Sequence, residues 1–350
     1  MLRHHHIPRA LTTLIAIAAL ALPISLAAPA QAAPSATAGL YGSQPPDYDG
    51  VFRQSLAILG LDAVGVQPSR AAVRWLISAQ CADGSFQPFR DDPSAPCDPV
   101  DLEAFTGPDT NGTAAAAAAL AALGTPPTRA AALRASRWLQ AAQNADGGWP
   151  FLKGGPSDAN STGMVLAALK AQGVRGSSIA RGQRFLASVL TPCGATDGGA
   201  LAWQAGTKPG GSASAQGYLG LTGFLPIRTP RPLGADPTCA RDLTRKVGSY
   251  LARTIGDNGG LLPDALSAGA DYTNTVNAVL GFAAAGVAKP TVAKAMGALR
   301  ASVRDYAVKD GAPVPAALGL LLLTSKATGA DPRDFGGVDL VAQLQRSERR

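Results

Sequence analysis

Over residues 48–350, apolar and polar positions fall into two alternating kinds of stretch. One kind is rich in alanine and leucine and apolar around most of a helical circumference, as in Ala114–Leu123, Val165–Ala171, Ala215–Phe224 and Val276–Ala285. The other carries arginine and lysine on one face and apolar side chains on the opposite one, as in Arg129–Ala142, Ser177–Leu190 and Ala240–Arg253. A helix apolar all round is enclosed by other helices, whereas a one-sided stripe marks a helix with a solvent face. The first kind predicts inner helices starting near Val51, Gly112, Ser161, Ser212, Asn274 and Pro315. The second predicts outer helices starting near Pro68, Thr128, Ser177, Cys239, Pro290 and Gly337. Pro68, Pro127 and Pro290 fall where a first turn tolerates the missing N–H. Six inner and six outer helices in alternation close into an all-α, single-domain (α/α)6 toroid over 48–350. An open helical solenoid is the alternative arrangement.

The stretches between helices repeat as well. Arg70-Ala71, Arg74-Trp75-Leu76, Gln80 and Ala82-Asp83-Gly84-Ser85-Phe86 form one copy. Arg134-Ala135, Arg137-Trp138-Leu139, Gln143 and Ala145-Asp146-Gly147-Gly148-Trp149 form a second. Weaker copies pass through Asp197-Gly198-Gly199, Asp257-Asn258-Gly259-Gly260 and Asp310-Gly311. Self-similarity at several tens of residues is the signature of a repeat architecture. Gln143 offers donors and acceptors to orphan backbone groups at helix ends, and Gly147-Gly148 permits a tight turn. Gln87–Pro108 and Pro226–Pro237 are expected as irregular excursions, and 33–47 as a flexible leader.

This second copy resembles the QW repeat of squalene and oxidosqualene cyclases, and the first matches it with Phe86 in place of tryptophan. The resemblance places the chain with the α/α-toroids of the terpenoid cyclase and protein prenyltransferase superfamily. It implies that Gln80 and Gln143 cap helices, and that Trp75, Phe86, Trp138 and Trp149 pack the outer layer. Asn160-Ser161-Thr162-Gly163-Met164-Val165-Leu166-Ala167 is similar to the inner-helix starts of the cobalamin carriers intrinsic factor and transcobalamin. That likeness implies an exported barrel that carries a corrinoid.

The N-terminus changes the picture further. Arg3 and Arg9 flank His4, His5 and His6, an apolar run from Ala10 to Ala28 follows, and Ala30-Gln31-Ala32 offers a cleavage site. Residues 1–32 therefore read as a signal peptide, with a retained anchor as the alternative, and the chain reads as secreted with no membrane span after cleavage. Cleavage removes two arginines and no acids, lowering the net charge from +7 to +5. No basic stretch alternates with aromatics, so nucleic acid is not an expected partner. All three histidines lie in the signal, which excludes Ser-His-Asp catalysis and imidazole zinc sites from the mature part. The four cysteines are expected as disulfides, with Cys81–Cys97 and Cys193–Cys239 preferred because each pair brackets an irregular stretch or a neighbouring repeat.

Candidate chemistry gathers at inner-helix starts. Asp109, Asn111 and Thr113 recur in spacing as Asp158, Asn160 and Thr162, and again as Asp271, Thr273 and Thr275, with Ser212 and Ser214 as a shortened copy. Parallel inner helices would bring these to one mouth of the toroid. N-capping explains one polar residue per start, contributing about 1 kcal/mol, but each copy carries two or three. Trp203 and Tyr272 are candidates for the rim of this mouth. By contrast, Asp98-Pro99-Val100-Asp101 lacks the adjacent second acid of a cyclase Asp-x-Asp-Asp motif. Glu103, Asp264 and Asp305 show no spacing that marks a glycosidase pair. The expectation is an exported, non-catalytic protein that binds a corrinoid-like or isoprenoid-like small molecule, requires no cofactor, and has a corrinoid as the candidate bound group. The alternatives are an enzyme on the same scaffold, cyclase-like or glycan-cleaving, and a structural surface module.

Overall fold

The computed structural model describes residues 37–223, 230–240, 242–265 and 267–350. The expected signal peptide lies outside them. Helices α1 (Gly50–Ala63) and α2 (Arg70–Ser78) form the first pair, followed by α3 (Thr110–Leu123) with α4 (Pro126–Ala141) and α5 (Ala159–Ala171) with α6 (Ser177–Ser188). Then come α7 (Gly211–Thr222) with α8 (Leu243–Asp257), α9 (Tyr272–Ala285) with α10 (Lys289–Ala301), the short α11 (Val303–Ala307), and α12 (Pro315–Thr328) with α13 (Leu340–Arg346). Each of α1, α3, α5, α7, α9 and α12 packs on the next, and α12 returns to α1. The ring is closed, as the six-plus-six pattern predicts.

Some boundaries move from the sequence expectation, and caps are the reason. The eighth helix begins at Leu243 rather than Cys239, because the Asp242 side chain accepts from Arg245 N. The last begins at Leu340 rather than Gly337, with Asp339 accepting from Ala342 N. Residues 37–47 are also not a loose leader. Leu40 and Tyr41 are fully buried. Gly39 N donates to Arg349 O at 2.9 Å and Arg349 N returns a bond to Leu40 O at 2.9 Å. Two apolar residues inside a Gly/Pro/Ser-rich stretch suffice to fasten it across the ring closure.

Inner helices are buried on nearly every side because they are built of small residues that allow close approach. At Gly163 on α5 an added Cβ would stand 2.1 Å from the carbonyl oxygen of Gln216 on α7, so only glycine fits that contact. The outer layer is tied differently. Gln80 Nε2 donates to Gly84 O at 3.0 Å in its own turn and to Ala131 O at 2.9 Å on α4. Gln143 repeats this with Gly147 O and with Ser178 O on α6, each at 2.8 Å. Arg134 and Arg181 then donate to the two glutamine oxygens. The turn itself requires Gly147, whose φ is +91° and whose missing Cβ would stand 2.7 Å from Arg181 O. Trp149 is fully buried with its indole N–H on Leu139 O at 2.6 Å, Phe86 is equally buried, and Trp75 and Trp138 lie between helices.

Four two-residue antiparallel pairs, absent from the sequence expectation, join outer helices to the next inner ones: β1 (Trp149–Pro150) with β2 (Ser157–Asp158), β3 (Leu201–Ala202) with β4 (Pro209–Gly210), β5 (Leu262–Pro263) with β6 (Ala270–Asp271), and β7 (Val308–Lys309) with β8 (Ala312–Pro313). Each pair delivers the chain to the start of an inner helix. The disulfides are Cys81–Cys97 and Cys193–Cys239, the expected pairing.

Candidate functional site

The polar residues at the inner-helix starts do three separate jobs. The aspartates are N-caps. Asp109 Oδ1 accepts from Gly112 N at 2.6 Å, Asp158 Oδ1 from Ser161 N at 2.7 Å, and Asp271 Oδ1 from Asn274 N at 2.9 Å. Burial raises the Asp109 carboxyl from 3.8 to about 7, only partly offset by the backbone N–H groups of Gly112 and Asn111. Burial also raises Asp158, against bonds from Ser161. A carboxyl near 7 is present in both forms at neutral pH, the condition for passing a proton.

The hydroxyls one turn on are staples. Thr113 Oγ1 accepts from Phe86 N at 3.0 Å, Thr162 Oγ1 from Trp149 N at 2.9 Å, Ser214 Oγ from Leu201 N at 2.9 Å and Thr275 Oγ1 from Leu262 N at 2.8 Å. In each case the donor is the residue that follows the glycine turn after an outer helix. These threonines point outward, into the layer between helices.

Each helical residue advances about 100°, so the residue two before the staple stands about 200° away, on the lumen face. That residue is Asn111 in α3, Asn160 in α5, Ser212 in α7 and Thr273 in α9. Asn160 Nδ2 donates to Ser212 Oγ at 3.0 Å across two neighbouring inner helices. Thr273 Oγ1 instead shares a bond with Tyr306 Oη at 3.2 Å. One turn deeper, Gln216 Nε2 and Asn277 Nδ2 both donate to Asn274 Oδ1 at 3.2 Å, and Asn274 Nδ2 donates to Asp271 Oδ2 at 2.7 Å. Two oxygens in this belt, Asn111 Oδ1 and Asn160 Oδ1, are buried with no hydrogen-bond partner among the described residues. One and two turns further along the same faces lie Ala115 and Ala118 on α3 and Met164 and Ala168 on α5, all buried. The starts of the inner helices are thus polar, with two unused buried acceptors, and apolar side chains follow them along α3 and α5.

Gln216, Asn274 and Asn277 were not among the residues singled out by spacing, although each lies within a turn of a start position. Trp203 is half-exposed, and its backbone oxygen accepts from Ala159 N at 2.8 Å, which sets it beside the start of α5. Among the described residues no group of three or more His, Cys, Asp or Glu could hold a metal ion, and no helix is long and apolar enough to cross a membrane.

No family model and no curated protein matches the chain. Among solved structures it is similar to a variant of the type II terpene cyclase MstE from Scytonema in complex with geranylgeranyl dihydroxybenzoate. That match has 16% identity over 84% of this chain and 79% of that one, at a TM-score of 0.54. An apo MstE variant matches at 17% identity over the same shares, with a TM-score of 0.53. A glycosidase matches at 14% identity over 85% of this chain and 91% of that one, with a TM-score of 0.51. At such identities the likeness is one of fold, the α/α-toroid that terpenoid cyclases share.

Proposed function

We propose that the chain is an exported toroid that binds an isoprenoid-like small molecule, its apolar body in the lumen and a hydrogen-bond donor of its polar end at the amide belt. The observation that carries this reading is the pair of buried, unpartnered oxygens of Asn111 and Asn160. A buried acceptor without a donor costs about 1–3 kcal/mol, and a ligand hydroxyl would recover that cost. The apolar side chains that follow along α3 and α5 suit a hydrocarbon body. The isoprenoid substrate in the MstE complex is consistent with this choice over a corrinoid.

A second reading, catalysis on the same scaffold, is favoured by Asp109. Its carboxyl is buried at the same mouth and raised to about 7, which suits a proton donor. Equilibrium dialysis against geranylgeraniol and cyanocobalamin in parallel, followed by product analysis of the bound isoprenoid, separates the readings. Geranylgeraniol is retained, and Asn111→Ala with Asn160→Ala weakens it by roughly fivefold, the worth of the one modest hydrogen bond that its single hydroxyl can donate to either oxygen. Unchanged affinity in the double variant rejects the amide belt as the site. Retention of cyanocobalamin alone returns the corrinoid reading, and a rearranged product lost in Asp109→Asn establishes catalysis.

A further inference from the structure

The excursion between α2 and α3 builds a second concavity, of about 530 Å³, that the lumen site does not use. Four carboxylates line it: Asp47, Asp91, Asp92 and Asp98. Its one lining cation, Arg90, is committed to the protein. Its guanidinium donates to Ser78 O at 3.2 Å, Gln80 O at 3.1 Å, Pro93 O at 2.8 Å and Ala95 O. Four carboxylates against this one guanidinium leave the cleft acidic, on a chain whose net charge is +7.

Its other walls are aromatic. Phe105 and Phe151 stack with centroids 5.1 Å apart and planes within 12°. Phe105 is 62% exposed and Tyr48 is 89% exposed, two of the five exposed large hydrophobic side chains among the described residues, and both line this cleft. Phe105 also has a left-handed backbone, φ 57°, an uncommon state for a bulky residue. The loop that carries this wall is held by the Cys81–Cys97 disulfide and the Arg90 clamp, so the cavity is preformed.

Aromatic faces and carboxylates together attract one class of ligand more than any other, a cation with apolar substituents, through ring quadrupoles and charge. A metal ion is disfavoured, because these carboxylates do not assemble into a metal-holding group. We propose that this cleft binds a small organic cation of the alkylammonium type, its charge facing Asp91 and Asp92 and its apolar part against Phe105 and Phe151. The site shares no residue with the amide belt and does not depend on the lumen reading.

The probes are choline and its uncharged carbon isostere, in which carbon replaces nitrogen, titrated into the purified protein with ligand-observed NMR at low and high salt. Choline binds saturably, and the isostere binds at least about tenfold more weakly, since it lacks the cation–π and charge contributions. Raising the salt weakens choline alone. Asp91→Asn with Asp92→Asn weakens choline at least about fivefold at an unchanged melting temperature, because an asparagine oxygen can still accept from Ser94 N as Asp92 does at 2.8 Å. The same pair keeps geranylgeraniol binding, which separates failure here from failure of the lumen reading. Phe105→Ala weakens choline too. Equal binding of the isostere, undiminished binding in the paired asparagine variant, displacement of choline by millimolar calcium, or no saturable binding each overturns the proposal.

Discussion

The Asp109→Asn substitution tests the electrostatics of the mouth through stability alone. The Asp109 side chain is 4% exposed, and burial lifts its carboxyl from 3.8 to about 7. Between those values the folded protein holds a proton that the unfolded chain has released. The stability carried by the neutral form is fully present below about 3.8, is lost progressively as pH rises, and is gone above about 7. That interval corresponds to roughly 4 kcal/mol. Asparagine cannot ionise, yet its amide oxygen can still cap Gly112 N as Asp109 does at 2.6 Å. The two proteins should therefore melt close together at pH 4, and the variant should melt higher at pH 8. At about 2 °C per kcal/mol for a domain of this size, the gap reaches roughly 8 °C. Calorimetry at matched ionic strength reads it. Asp158, also raised by burial, is present in both proteins and drops out of the difference. A gap that stays flat with pH, or that favours wild type as pH rises, would mean that the amides and helix dipole outweigh burial, and the reasoning would fail.

Other consequences are mechanical. Gly163→Ala forces a Cβ to 2.1 Å from Gln216 O, backbone against backbone, and should cost at least about 3 kcal/mol or prevent folding. Gly297→Ala, in the open middle of α10, should instead gain up to about 1 kcal/mol, so equal melting temperatures would show that α5 and α7 are not in close contact. Thr162→Val orphans the buried Trp149 N–H, now bonded at 2.9 Å, and should cost about 1–3 kcal/mol that Thr162→Ser largely restores in thermal melts. Replacing the Cys193–Cys239 pair by serines, a closure over 46 residues, should cost about 4 kcal/mol. The 16-residue Cys81–Cys97 closure should cost about 3, and denaturant titrations giving the reverse order would contradict the chain-entropy account.

The helical scaffold was readable because its two helix types differ in composition. Ala114–Leu120 is buried without interruption, whereas α4 alternates buried Ala131, Ala135 and Leu139 with exposed arginines. The hairpins between outer and inner helices were not readable. Each strand is two residues long, too short to leave a period in the sequence, and the pairing is fixed by the helices it joins. The fastening of Leu40 and Tyr41 was hidden for a related reason, since its partners lie at Ser347 and Arg349, at the far end of the chain.

The site was half legible. Spacing located Asp109, Asn111 and Thr113 and their copies, but spacing cannot separate a cap from a ligand contact when both favour the same residue types. Geometry makes the separation. The aspartates are satisfied by first-turn N–H groups, and the threonines by the chain that follows each glycine turn. Neither set needs a ligand to explain it. Asn111 and Asn160, two residues ahead of Thr113 and Thr162, have no such local account, for asparagine inside a first turn is a mediocre helix former. Asn111 and Asn160 also leave an oxygen unpaired. A terpene cyclase and a glycosidase match this scaffold almost equally well, so the fold does not choose between chemistries. What the residue pattern offers is narrower and more useful: acceptors at the helix starts, apolar side chains further along, and a single buried carboxyl close to neutrality. A ligand that satisfies all three has a hydroxyl at one end and a hydrocarbon body, and it becomes a substrate only if Asp109 can reach it with a proton.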